Sequence, residues 1–231
     1  MKKIALLVTC EHAVNAVPDA YSMLFDGHEA LLQTHRGFDN GALFLATQLQ
    51  TTLCCPLIAA NATRLLIDCN RSLRHPHCFS EITALLSGVE KEQIIANYYQ
   101  PYRELVINQI ASFINAGFIV WHLSIHSFTP VLDGLMRNAD IAFLYDPKRI
   151  IEKLLARDWQ HTLKQSSDFK IRLNYPYRGN SDGFTTALRR QFSEYKYLGF
   201  EIEINQALAG CQEKLELIAE LLHKSIKRNP Y

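Results

Sequence analysis

The sequence predicts a three-layer α/β sandwich around a mixed, mainly parallel sheet. Three observations carry that expectation. Short apolar runs alternate with stretches of helical periodicity along the chain. The runs are continuously apolar, as strands covered on both faces are. Polar clusters (Glu11-His12, His126-Ser127 and Glu203) fall near the ends of such runs, where open α/β sheets place their sites.

The elements follow in order. Ile4 to Thr9 is a continuous apolar run and reads as a buried first strand. In Asn40 to Leu53 the residues Leu43, Phe44, Ala46, Leu49 and Leu53 recur at helical spacing. Pro56 to Ala60 reads as a second strand, Leu65 to Ile67 as a third, and Glu81 to Leu86 as a short helix. Lys91 to Ala116 is the longest helical pattern, with Ile94, Ile95, Tyr98, Tyr102, Leu105, Ile110 and Phe113 as its apolar face. Pro101 marks a kink or a split within it, and Gly117 is a natural stop. Phe118 to Ile125 is a strongly apolar strand, Ile141 to Tyr145 another, Pro147 to Trp159 a helix and Lys170 to Asn174 a short strand. Phe184 to Tyr195 reads as a helix and Tyr197 to Ile204 as the last strand. Leu215 to Lys227 closes the chain as a helix, with Lys224, Lys227 and Arg228 where the helix dipole favours cations. No repeat, linker or composition shift divides the sequence, so residues 1–231 are expected to form one domain.

Composition narrows the function classes. The 231 residues are 48% hydrophobic and 20% charged, which suits a chain that buries a substantial core and excludes disorder. Lys and Arg number 24 against 23 Asp and Glu, so the basic excess of a nucleic-acid binder is missing. The apolar run after Met1 is broken by Glu11-His12 and lacks a small-residue cleavage site, so a strand explains it better than a signal peptide. No run is long enough to span a bilayer, and no membrane partner is expected. The six cysteines form no CxxC pair, and Cys54 and Cys55 are adjacent, a poor basis for a disulfide framework. A reducing, cytoplasmic setting is expected.

Four groups of residues could carry chemistry. His12, Asp39 and His126 are expected on one rim of the sheet, and two imidazoles with a carboxylate and an open fourth position make a common catalytic zinc set. Glu11 and His35 are rivals for ligand positions, and unrelated surface polar residues are the plain alternative. In the string Arg64 to Arg71, a strand would deliver Asn70 and Arg71 at its polar end. There an Arg fork and an amide recognise a carboxylate, unless Arg71 is tied to Asp68 in a surface turn. His126 and Ser127 are adjacent on a strand and point to opposite faces, so they do not pair as base and nucleophile. Glu201 and Glu203 share one face of the last strand and are either paired or functional in a core strand, or solvated on an edge strand. The tract His75-Pro76-His77-Cys78 is set aside as a loop.

Five of these strings, in order, resemble the N-formylglutamate amidohydrolase family. They are Thr9-Cys10-Glu11-His12-Ala13 with Asn15 and Pro18, His35-Arg36-Gly37-Phe38-Asp39-Asn40-Gly41-Ala42, Arg64-Leu65-Leu66-Ile67-Asp68-Cys69-Asn70-Arg71, His126-Ser127-Phe128-Thr129-Pro130, and Ile202-Glu203-Ile204-Asn205-Gln206. The resemblance implies a zinc exopeptidase-like (phosphorylase/hydrolase-like) fold, shared with zinc carboxypeptidases, aspartoacylases and muramoyl-alanine amidases. It implies one zinc ion per chain held by His12, His126 and a carboxylate, Asp39 in the amidase pattern or Glu11 if the ligands cluster in the first loop. It implies Glu203 as general base and Asn70 and Arg71 as the grip on a substrate carboxylate, with Arg137 a second candidate and Arg64 and Thr129 in the same motifs. The expected partner is a small carboxylate-bearing amide such as N-formylglutamate. A cell-wall peptide amidase and a catalytically silent binder of a small acidic ligand are the alternatives.

Overall fold

The computed structural model describes residues 3–228; Met1 and Lys2, which open the N-terminal run, and residues 229–231 lie outside the described part. Six strands form one sheet in the order β2-β1-β3-β8-β6-β7. These are β1 (Ile4–Cys10), β2 (Leu57–Ala59), β3 (Ile119–Phe128), β6 (Ile141–Leu144), β7 (Ile171–Leu173) and β8 (Tyr197–Asn205). All neighbouring strands run parallel except β6 against β8, so the sheet is mixed and mainly parallel. A two-stranded hairpin, β4 (Val131–Leu132) with β5 (Leu135–Met136), stands apart from it.

Helices cover both faces. On one face α2 (Ala42–Leu53), α5 (Ile150–Ser166) and α7 (Gln212–Lys227) bury Leu45, Leu49, Leu155, Trp159, Ile218 and Leu222 against Val8, Leu123, Phe200 and Ile202. Trp159 anchors this layer, 4.6 Å from Phe200 between ring centroids. On the other face α4 (Gln100–Asn115) and α6 (Phe184–Gln191) bury Tyr102, Val106, Ile110, Phe184 and Leu188 against Leu7, Val120 and Tyr197. Two short helices, α1 (Glu29–Leu32) and α3 (Gly88–Ile94), lie in the connections. Among the described residues no helix is long and apolar enough to cross a membrane.

Three elements differ from the sequence reading. Leu65 to Ile67 is a turn, not a strand. Its apolar side chains are buried, but its carbonyls are met by side chains: Ser80 Oγ donates to Leu65 O at 2.5 Å and Thr83 Oγ1 to Leu66 O at 3.1 Å. A buried loop satisfied in this way has the same hydrophobic signature as a strand. Glu81 to Leu86 is a series of turns, and the helix begins only after Ser87, which closes a capping box with Glu90. The long helix is divided by a π-helical turn over Ile95–Tyr99, just before Pro101, whose missing N–H fits the first turn of α4. The buried stripe is therefore Ile94, Tyr99, Tyr102, Val106 and Ile110, and Leu105, expected inside, is exposed. The extra residue in that turn rotates α4 relative to an unbroken 3.6-residue pattern.

Candidate active site

One face of the three central strands is polar near their carboxyl ends. Side chains alternate across a strand, so Thr9 and Glu11 follow one another on β1 and just beyond it. His122, Ser124 and His126 do the same on β3, as do Glu201 and Glu203 on β8. Parallel register aligns Thr9 with Ser124, Ser124 with Glu201, and His126 with Glu203. β8 lies between β3 and β6, so the solvated-edge alternative for the two glutamates does not apply.

His12 leaves the end of β1, and its carbonyl accepts the Asp39 N–H at 2.9 Å, which ties the loop before α2 to the loop after β1. Asp39 Oδ2 is approached from three directions: His126 Nδ1 lies 2.9 Å away, His12 Nδ1 3.2 Å away, and the Ser127 N–H donates to it at 3.2 Å. The three residues thus offer donor atoms within 4.8 Å of one another, all buried. Each imidazole is held from behind by a carboxylate. His12 Nε2 meets Asp68 Oδ1 at 2.7 Å, and His126 Nε2 lies 3.2 Å from Glu11 Oε2. Glu11 also accepts from Thr9 and Tyr102 hydroxyls at 2.8 Å each and from Ser124 at 2.5 Å. It therefore stands behind His126 and outside the three-donor cluster. His35, the other rival, is exposed at the rim of the neighbouring cavity.

The charges follow from this packing. Burial opposes ionisation of Asp39 and Asp68, but His12 and Arg64, with His126 added at Asp39, hold both well below the usual carboxylate range. Burial likewise opposes charge on Glu11, and the bond to His126 outweighs it. Burial pulls the two site imidazoles down, and their carboxylate partners raise both, His126 well above its ordinary value. Glu203 is different. Burial pushes it up to about 8, and its Oε2 has no hydrogen-bond partner among the described residues. Glu201 instead accepts from Thr185 Oγ1 at 2.5 Å.

Glu203 lines a cavity of about 200 Å³ together with His12, Asp39 and His126. A second cavity of about 320 Å³ continues outward, sharing Asp39, Arg64, Arg71, Ser127 and Tyr177 with the first. Arg71 reaches both while donating to the Asp182 carbonyl at 2.7 Å. Asn70 lines the inner cavity, and its Oδ1 accepts the Phe184 N–H at the start of α6. Thr129 and Arg137 line the outer cavity, 3.3 Å apart, with Arg137 also donating to the Tyr177 hydroxyl at 3.0 Å. Arg64 reaches both cavities, but its guanidinium is engaged by Asp68 at 2.7 Å and Asp39 at 3.4 Å. Asp68 thus pairs with Arg64 and His12 rather than with Arg71.

The N-formylglutamate amidohydrolase family model matches residues 4–209. The chain belongs to that family. As an N-formylglutamate amidohydrolase family member it is a hydrolase of C–N bonds. A gene product of Agrobacterium tumefaciens with a solved structure is 28% identical, with a TM-score of 0.85 over 98% of this chain and 90% of its own. The N-formylglutamate amidohydrolase of Ralstonia eutropha has the same fold at 18% identity, with a TM-score of 0.67 over 99% of this chain and 96% of its own. No curated protein sequence matches the chain.

Sequence reasoning missed Thr9, Asp68, Tyr102, His122 and Ser124. A signal for four of them was present. Thr9-x-Glu11 and His122-x-Ser124-x-His126 repeat polar residues at period two inside apolar runs, and Asp68 follows such a run.

Proposed function

We propose that this family member is a zinc-dependent amidohydrolase that cleaves a small N-acyl amino acid with a free carboxylate, N-formylglutamate being the first candidate. The observation that carries this reading is the approach of His12 Nδ1, His126 Nδ1 and Asp39 Oδ2 to one another in the cavity that Glu203 also lines, where Glu203 Oε2 has no partner among the described residues. The donor set fits a tetrahedral ion. Two imidazoles and one carboxylate leave the fourth position open, and ligands of such an ion stand about 3.3 Å apart, against 2.9 and 3.2 Å between the imidazole nitrogens and Asp39 Oδ2. The carboxylates behind both imidazoles match the usual support of metal-binding histidines.

When bound, zinc polarises the amide carbonyl and makes water acidic enough to be deprotonated near neutral pH. The protein's own residues do the rest. Glu203 takes the proton of the attacking water at Oε2 and returns it to the leaving nitrogen. Its pKa is high in the metal-free protein because burial, together with the like charges of Asp39 and Glu201, outweighs the pull of His126 and His12, and a cation in the site would favour the ionised form that a base must have. Glu11 and Asp68 keep both rings turned so that Nδ1 faces the cavity. Arg71, with Asn70 beside it, anchors the substrate carboxylate through charge-assisted bonds, and Arg137 with Thr129 offers a second polar anchor in the outer cavity.

The test is hydrolysis of N-formyl-L-glutamate and a panel of N-acyl amino acids, each with its carboxyl-amidated counterpart, with chelator and after zinc is restored. Chelator should abolish turnover and zinc should restore it, and His12→Ala should lose most bound zinc while staying folded. Arg71→Ala should raise KM by roughly 10- to 100-fold for carboxylate-bearing substrates, the weight of one charge-assisted pair of about 1.5–3 kcal/mol. Turnover indifferent to chelator refutes the metal, and equal cleavage of the amidated substrates refutes the carboxylate anchor.

A further inference from the structure

The polar face does not end at Glu11. Behind it a chain of buried hydrogen bonds runs away from the cavity. Thr9 Oγ1 donates to Glu11 Oε1 at 2.8 Å, His122 Nε2 lies 2.7 Å from Thr9 Oγ1, and Tyr197 OH lies 2.7 Å from His122 Nδ1. Thr9, His122 and Tyr197 are each 0% exposed. Hydrolysis as described uses none of the three, and a buried imidazole in a parallel core strand is costly unless it is needed.

Counting protons fixes the direction of the chain. The Thr9 and Ser124 hydroxyls both donate to Glu11, the first to Oε1 and the second to Oε2. The single hydroxyl proton of Thr9 therefore goes to Glu11, and its oxygen has only lone pairs left for His122. His122 must then carry its proton on Nε2. Burial pulls its pKa down to about 4, so at neutral pH its Nδ1 is bare and accepts the Tyr197 hydroxyl. Every proton points toward Glu11. On the other oxygen of Glu11 the hydroxyl of Ser124 is likewise spent, and Ser124 Oγ presents lone pairs to His126 Nε2 at 2.9 Å. His126 must therefore keep its proton on Nε2, which leaves Nδ1 as the nitrogen facing Asp39 and the cavity.

We propose that His122 and Tyr197 are positioning residues of the metal centre, which hold the Thr9 proton on Glu11, the carboxylate that stands behind His126. This rests on the reading of His126 as a metal ligand. If His122 took the other tautomer, the Thr9 proton would turn toward it, and Glu11 Oε1 would keep Tyr102 as its donor and lose Thr9, which weakens the carboxylate that stands behind His126. Tyr197 prevents this by offering its hydroxyl proton to Nδ1. Space for that arrangement is made by Gly199, where a Cβ would stand 2.6 Å from the Tyr197 hydroxyl and 3.0 Å from Cζ. Any side chain at 199 would move the ring off His122.

The experiment is zinc titration of the full chain against a competing fluorescent chelator, alongside the melting temperature of the chelated protein, for wild type, Tyr197→Phe, His122→Leu and His122→Gln. Tyr197→Phe and His122→Leu should bind zinc about tenfold or more weakly, the scale of support lost behind a metal ligand. His122→Gln should recover most of the affinity, because its amide N–H can replace the Nε2 proton on Thr9. Should His122→Leu fail to fold, Tyr197→Phe and His122→Gln decide the matter. Variants that melt lower yet bind zinc as wild type does, per folded molecule, overturn the proposal by showing a structural role only. A wild type that takes up no zinc overturns the metal-centre reading itself, and this inference with it.

Discussion

Glu203 is a costly residue to keep in a central strand. It is buried and raised to about 8 from an ordinary 4.5, and one carboxylate oxygen has no partner among the described residues. Its folded-state pKa lies above its unfolded value, so it opposes folding increasingly as pH rises from about 4.5 to about 8. A group tolerated at that cost is expected to act, and Glu203→Gln separates action from architecture. Glutamine keeps the shape and cannot ionise. The chelated variant should therefore melt higher than chelated wild type at pH 8, by roughly 4 °C or more. Its turnover with zinc should fall by roughly 10²–10⁴. A variant that melts lower and keeps its rate would make Glu203 an ion-pair partner and remove it from the mechanism. Glu201, two residues earlier on the same face, is the natural contrast, since Thr185 already satisfies it.

At the scale of elements, the legible part of the sequence was the part governed by periodicity. Largely apolar runs marked β1, β3, β6 and β8, and the helical spacing of Leu43, Phe44, Ala46, Leu49 and Leu53 marked α2. His12, His126 and Glu203 stand out as candidates in the sequence because they sit where those runs end. What stayed hidden depended on partners far away in sequence. Leu65 to Ile67 looks like a strand until Ser80 and Thr83 are seen to satisfy its carbonyls, and the rotation of α4 depends on one extra residue before Pro101. The segment Tyr177 to Asp182, which walls the inner cavity, carried no sequence signal beyond a turn at Asp182-Gly183. Gly179 holds it. Its carbonyl accepts from Arg189 Nη1 at 2.5 Å, and a Cβ there would stand 2.2 Å from the Tyr145 nitrogen at the end of β6. Backbone cannot yield as a flexible side chain can, so Gly179→Ala should cost about 1–3 kcal/mol, the usual penalty of overpacking. It should also lower kcat/KM through displacement of the cavity wall. Denaturant unfolding and kinetics on the same preparation check both, and unchanged values in each would show that the turn does not shape the site.

For the whole molecule, the site ties stability to pH, and under the proposed function to zinc as well. His12 and His126 have raised pKa values, so their contribution to stability is full below their ordinary value of 6.5 and fades as pH rises through the raised values. Glu203 adds a loss of the same sign between about 4.5 and about 8. Asp39, Asp68 and Glu11 act oppositely. Their pKa values are depressed, so they stabilise above the usual carboxylate range and fail only in acid. The chelated protein should accordingly be most stable in mildly acid solution and weaken toward alkaline pH. Under the proposed function, zinc should reverse that slope, because it would bind neutral imidazoles and ionised carboxylates and so compete with protons at its own ligands. The difference in melting temperature between zinc-loaded and chelated protein should widen steadily from pH 6 to pH 8.5. In His12→Ala, with one ligand gone, most of that difference should vanish across the range. Thermal melts in matched buffers measure this directly. A gap that stays constant or narrows with rising pH would mean that the imidazoles of His12 and His126 do not hold the ion, and the assignment of the metal centre would have to be abandoned.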